Sequence, residues 1–141
     1  MLTRRGFAGV ATCWICTATG FIATDASAQG APPAATPGLK RKMLSQIDGP
    51  VPGYVTIVAE VEIEAGAFVA RHTHPGIESS YVIEGELELP IEGQPTRIVK
   101  AGDGFQVPAG VPHAGGKPGT KKAVITATYV VEKGKPLASP A

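Results

Sequence analysis

The 141-residue chain contains no asparagine, one tryptophan and two cysteines. Trp14, Cys13 and Cys16 all fall in the N-terminal segment. Beyond it there is no thiol, which excludes disulfide and thiolate chemistry from the rest of the chain. Charge of one sign is also missing. Formal net charge is +1, and the longest basic run is Lys40-Arg41-Lys42. Binding a phosphate backbone needs a concentrated basic face, so nucleic acid is excluded as a partner. The short basic run reads as a solvated strand or linker end. Helical periodicity is absent too, since no stretch longer than a turn or two repeats at 3.6 residues. Histidine occurs only three times, as His72, His74 and His113.

The N-terminus does not belong to the fold. Thr3-Arg4-Arg5-Gly6-Phe7-Ala8 resembles a twin-arginine export signal, and a mild apolar run follows from Gly6 to Thr24. Four threonines make that run a poor membrane anchor. Ala26-Ser27-Ala28 supplies small residues at the cleavage positions, so processing is expected after Ala28. The mature protein, 29–141, is then expected in the periplasm, or exported by another route, with no membrane attachment. Residues 29–38 are rich in Ala and Pro and read as a linker. A single domain is expected over 39–141.

That domain reads as all-β. Val55, Ile57, Ala59, Val61 and Ile63 alternate with Thr56, Val58, Glu60, Glu62 and Glu64, the period of a half-buried strand. Ser80–Ile83 reads as a buried-type strand. Glu84, Glu86 and Glu88 mark a solvated face, with Gly85 as a turn between two strands. Glu92-Gly93 and Ala101-Gly102-Asp103-Gly104 are further turns. Ala123–Val131 is the last clear strand, and Leu39–Gly53 holds one strand and turns. Short strands with Gly/Pro punctuation fit a sandwich or barrel.

The three histidines lie in two segments that also carry Glu78. In extended chain, residues i and i+2 share a face, so His72 and His74 project side by side. Pro75-Gly76 bends the chain and lets Glu78 return toward them. His113 follows Pro108-Ala109-Gly110-Val111-Pro112, too rich in Pro and Gly to be helical. A neighbouring strand must deliver it. The full patterns are Gly66-x5-His72-x-His74-x3-Glu78-x6-Gly85 and Gly102-x5-Pro108-x-Gly110-x2-His113.

These two patterns resemble the paired motifs of the cupin superfamily. Tyr81–Leu89 and the tail Thr128–Leu137 also look like small cupins of the conserved-barrel type. The resemblance spans roughly residue 40 to the C-terminus. It departs at Lys117, where the family carries Asn. The resemblance implies a double-stranded β-helix, or jelly-roll barrel. It also implies one divalent metal ion held by His72, His74, Glu78 and His113, and a homodimer.

Three imidazoles and one carboxylate suit Fe, Mn, Ni, Co, Cu or Zn rather than Ca or Mg. Four protein ligands on a six-coordinate ion leave two positions for a small-molecule substrate or O2. With every histidine a ligand, none is spare as a general base. Proton transfer falls to metal-bound hydroxide, to Glu78, or to a tyrosine. Tyr81 lies on the opposite strand face by alternation and reads as packing. Tyr54 and Tyr129 have no orientation legible in the sequence, and Arg71 faces out. The leading expectation is a metal-dependent dioxygenase-type oxidoreductase with Glu78 as its catalytic group. A redox-neutral lyase, decarboxylase or isomerase and a non-catalytic binding protein are the alternatives.

Overall fold

The structure is a computed structural model and describes residues 36–116 and 120–141. The export segment, the linker up to residue 35 and Lys117 lie outside the described residues. Ten strands are described: β1 (Leu39–Asp48), β2 (Tyr54–Ile63), β3 (Val69–Thr73), β4 (Gly76–Glu84), β5 (Glu86–Leu89), β6 (Arg97–Lys100), β7 (Gly104–Val107), β8 (His113–Gly115), β9 (Ala123–Glu132) and β10 (Ser139–Pro140). One sheet has the order β1-β2-β9-β4-β7, and every pairing in it is antiparallel. A second sheet has the order β10-β3-β8, and β5 pairs with β6. Ala114 N–H donates to the Pro90 carbonyl at 3.1 Å and Gly116 N–H to the Glu88 carbonyl at 2.5 Å. These bonds stitch β8 to β5, so the two smaller sheets make one opposing layer.

The alternation in β2 does what period-two chemistry requires. Val55, Ile57, Ala59, Val61 and Ile63 are buried, while their neighbours stay half-exposed. Their register partners on β9 include Ile125, Ala127, Tyr129 and Val131, which are buried too. The inner face of the long sheet is thus apolar over most of its length. It packs on Val69, Leu87, Leu89 and Val99 of the opposing layer in one continuous core. Ile57 is fully buried, and truncating such a side chain to Ala costs about 2–5 kcal/mol. The fold is the all-β double-stranded β-helix expected from the sequence.

Two local readings need correcting. Ser80–Ile83 is not uniformly buried: Ser80 and Val82 face in, while Tyr81 and Ile83 are about half exposed. Tyr81 therefore packs in no core. The basic run on β1 is also not wholly solvated. Leu39 and Arg41 pair with the buried Ile63 and Val61, so Arg41 shares the inner face.

Candidate metal centre

β3 ends where the first motif's histidines begin, and β8 begins with the third. His72 on β3 is the register partner of His113 on β8. His74 follows the strand directly, and the Gly110 amide donates to its carbonyl at 3.0 Å. That bond ties the loop of the second motif to the first. The ring centroids of His72 and His113 are 4.2 Å apart, and those of His72 and His74 are 4.9 Å apart. One ligand nitrogen from each of the three rings lies within 4.8 Å of the others, a group able to hold a metal ion.

Glu78 reaches the same place from the opposite layer. A β-carbon at Gly76 would collide with the Val130 carbonyl, so glycine lets β4 start close against β9. That register sets Glu78 opposite Tyr129 on β9 and Val107 on β7. Its carboxylate is buried, with Oε2 3.0 Å from His74 Nε2 and 3.4 Å from His113 Nε2. The Ser80 hydroxyl donates to Oε1 at 2.6 Å. All four residues expected from the motifs are therefore brought together.

The protons in this cluster are constrained by the backbone. His72 Nδ1 lies 2.7 Å from the Ala70 carbonyl, His74 Nδ1 2.5 Å from that of Leu137, and His113 Nδ1 3.2 Å from that of Val111. A carbonyl accepts only, so each Nδ1 carries the hydrogen. Each neutral ring then offers a bare Nε2 lone pair, the arrangement a metal ligand needs. His74 Nε2 is buried with no hydrogen-bond partner among the described residues. Its near neighbour is a carboxylate oxygen, another acceptor. Acceptors converging in a buried site require either extra protons or a cation between them. A divalent transition ion would supply the cation, and the donor set fits it.

Electrostatics point the same way. Burial pushes the His72 imidazole down to about 4, with the neighbouring His113 and His74 adding to the effect and the Ala70 carbonyl opposing it. A neutral ring is the ligand form. Burial by itself would raise the Glu78 carboxyl. In the metal-free cluster an extra proton shared with the facing His113 and His74, together with the Ser80 hydroxyl, outweighs it and holds the group below the usual carboxylate range, and a cation held there would act in the same direction.

Four features were not legible in the motifs. Tyr129 is 2% exposed, with its ring centroid 4.9 Å from that of His74. Burial drives its phenol well above the ordinary value, the Glu78 charge adds to this, and the Arg41 guanidinium beside it opposes. Arg41 lines the same pocket as Tyr129, His72, Glu78 and His113. Ser80 holds Glu78. The tail holds His74, because β10 pairs with β3 and places the Leu137 carbonyl on Nδ1. The signal for Tyr129 and Arg41 was the strand alternation itself, Ile125-Ala127-Tyr129 and Leu39-Arg41. Arg71 faces out as expected and pairs with Glu92.

A jelly-roll barrel with three histidines gathered in its interior defines a class with a recurring metal-binding layout. The chain matches the family model described as a cupin domain over residues 59–131, and it belongs to the cupin family. A cupin of Shewanella frigidimarina, described as RmlC-like, superposes with a TM-score of 0.56 at 28% identity, covering 66% of this chain and 76% of that one. Dimethylsulfoniopropionate lyase DddQ of Ruegeria pomeroyi is 39% identical over 54 residues. That match covers 38% of this chain, which spans only 27% of the lyase. The lyase structure superposes with a TM-score of 0.56 at 24% identity, covering 65% of this chain and 46% of that one. The polyketide cyclase RemF of Streptomyces resistomycificus shares the fold, with a TM-score of 0.62 at 18% identity, covering 75% of this chain and 72% of that one.

Proposed function

We propose that the protein is a mononuclear metal-dependent cupin enzyme acting on a small organic molecule by redox-neutral proton transfer, in the manner of a lyase or isomerase. His72, His74, Glu78 and His113 would hold the ion, of which Fe, Mn, Ni, Cu and Zn all suit the donor set. The ion would supply Lewis-acid polarisation of a substrate oxygen. The observation that carries this reading is Tyr129, a buried phenol against His74 and directly opposite Glu78. Tyr129, kept protonated by its burial, would give a proton, and Glu78, steadied by Ser80, would be the group that takes one. Apolar walls exclude bulk water from both. The identity to a dimethylsulfoniopropionate lyase supports the same class.

The dioxygenase-type reading expected from the sequence remains the alternative, because the same donor set suits redox-active ions and leaves coordination positions free. Oxygen separates the two. Turnover of carbonyl or carboxylate substrates should proceed at an undiminished rate under anaerobic conditions. Strict dependence on O2, consumed in step with product, would move the assignment to the oxygenase. Tight ligand binding without turnover across a broad panel would leave the binding-protein reading.

Export and assembly belong to the same proposal. Arg4 and Arg5 ahead of a mild apolar run support twin-arginine delivery to the periplasm with cleavage after Ala28. Replacing both with Lys should trap the precursor in the cytoplasm. A homodimer is supported by Ile77, Tyr81 and Ile83, each about half exposed along the outer side of β4, and by the open edge of β1. Sedimentation of the mature protein tests it, and a monomer at micromolar concentration rejects it.

A further inference from the structure

β1 carries a second charged side chain, beside Glu78, into a pocket walled largely by apolar residues. Arg41 shares that pocket with Tyr129, and its Nε is buried with no hydrogen-bond partner among the described residues. The walls around it include Leu39, Val61, Ile63, Leu87 and Phe105. Apart from the imidazoles, Arg41 and Glu78 are the charged side chains lining it. Space for the arginine comes from the sheet. Between the row of Arg41-Val61-Ile125 and the row of Ile57-Tyr129-Glu78 stand Ala59 and Ala127, whose methyl groups leave the inner face low.

A buried guanidinium N–H without an acceptor is unfavourable by itself. The charge balance sharpens the point. A divalent ion with three neutral imidazoles and the Glu78 carboxylate carries one net positive charge. Arg41 adds a second. An apolar enclosure bearing two like charges favours a ligand that brings a negative one. Arginine presents a planar fork that matches a carboxylate, two N–H groups to two oxygens. The free volume is about 40 Å³, room for a few waters or a ligand of a few heavy atoms.

From this, we propose that Arg41 is the anion anchor of the pocket and that the molecule received there is a short-chain carboxylate. The proposal rests on the metal-site reading for its charge balance and names the substrate class of that site. Arg41 acts in binding. The proton chemistry stays with Tyr129 and Glu78.

The test uses the mature protein, metal-free and loaded with Zn2+, titrated calorimetrically with acetate and propanoate. Acetamide and propanamide serve as neutral counterparts of the same shape. The acids should bind roughly tenfold or more tighter than the amides, since a charge-assisted pair is being formed. Arg41→Met should abolish that preference while zinc stays at one per chain. Equal affinity of Arg41→Met and the parent for acetate overturns the proposal, as does a parent that treats acid and amide alike. One measurement needs no variant. The Arg41 Nε–H resonance should shift on adding acetate and stay put with acetamide, and a resonance unmoved by acetate rejects the anchor. A parent that takes up no zinc, yet whose acetate binding is lost in Arg41→Met, sinks the metal-site reading and leaves the anchor standing.

Discussion

The two layers of the barrel contribute to the site in different ways. β3, the residue that follows it and β8 bring the three imidazoles, and each ring is fixed by a backbone carbonyl close by or on the tail: Ala70, Val111 and Leu137. The long sheet brings Glu78, Ser80, Tyr129 and Arg41, and these are fixed by cross-strand register and by one another. The first layer prepares lone pairs, because a carbonyl forces the hydrogen onto Nδ1. The second prepares proton donors and charges, because its polar side chains are embedded in an apolar face. A metal ion would be held where the layers meet. Disturbing one layer should then change metal binding, and disturbing the other should change what is done with the metal.

The largest expected effect comes from the imidazole layer. His72→Ala/His74→Ala should leave no more than trace metal on elemental analysis, with the far-ultraviolet circular dichroism of a β protein retained. The barrel has a core of its own that does not depend on these rings. A full equivalent of metal on the double variant would show that the ion binds elsewhere.

Glu78→Gln strikes the other layer. It keeps the shape and much of the metal but removes the charge and a proton route. Turnover should drop by roughly two to four orders of magnitude, the usual range for a lost acid–base group. Metal content should fall far less. Turnover that survives intact would confine Glu78 to structure.

A smaller effect should follow from deleting residues 137–141. The deletion removes none of the three ligand residues but takes the acceptor from His74 Nδ1 and the β10 pairing from the edge of β3. Losing such an outer partner typically lowers metal affinity about 10–100-fold. Competition with a chelating dye reads the change. Affinity equal to the parent's would mean that the tail only covers the site.

The mildest expectation concerns pH and the metal-free protein. Folded His72 titrates near 4 instead of at the ordinary 6.5. Between those values the unfolded chain takes up a proton that the folded chain refuses. Stability should be full above about pH 6.5 and decline as pH falls toward 4. Glu78, held low, adds its loss at still more acid pH. Denaturant midpoints at several pH values check this, and His72→Gln should flatten the slope between 6.5 and 4. A flat profile for the parent would mean that the folded ring titrates normally.

The imidazole layer was legible because its determinants are local. Spacing i, i+2 sets His72 beside His74, Pro75-Gly76 supplies the bend, and glycine at positions 102 and 110 takes a positive φ that other residues resist. The strand pattern of β2 was equally plain, since burial on one face imposes period two. The charge layer was not legible in the same way. Tyr129 and Arg41 obey their strands' alternation, but alternation names two faces without saying which is the interior. The run Lys40-Arg41-Lys42 looked solvated because a basic triplet usually is. Its middle residue turns inward because Leu39 and Arg41 must match Ile63 and Val61 across the ladder.

The sequence alone determined the strand periods and the turns, which rest on spacings within a few residues, and its two motifs named the four candidate ligands through their resemblance to cupins. Tertiary structure decided the rest. Tyr129 stands opposite Glu78 only after residues 51 apart in sequence are paired by register. The Leu137 carbonyl reaches His74 only when the tail adds a strand, 63 residues along the chain. Arg41 meets the pocket only once the edge strand joins the long sheet. Those contacts are long-range, and only the closing of two layers over one core fixes where such side chains come to rest.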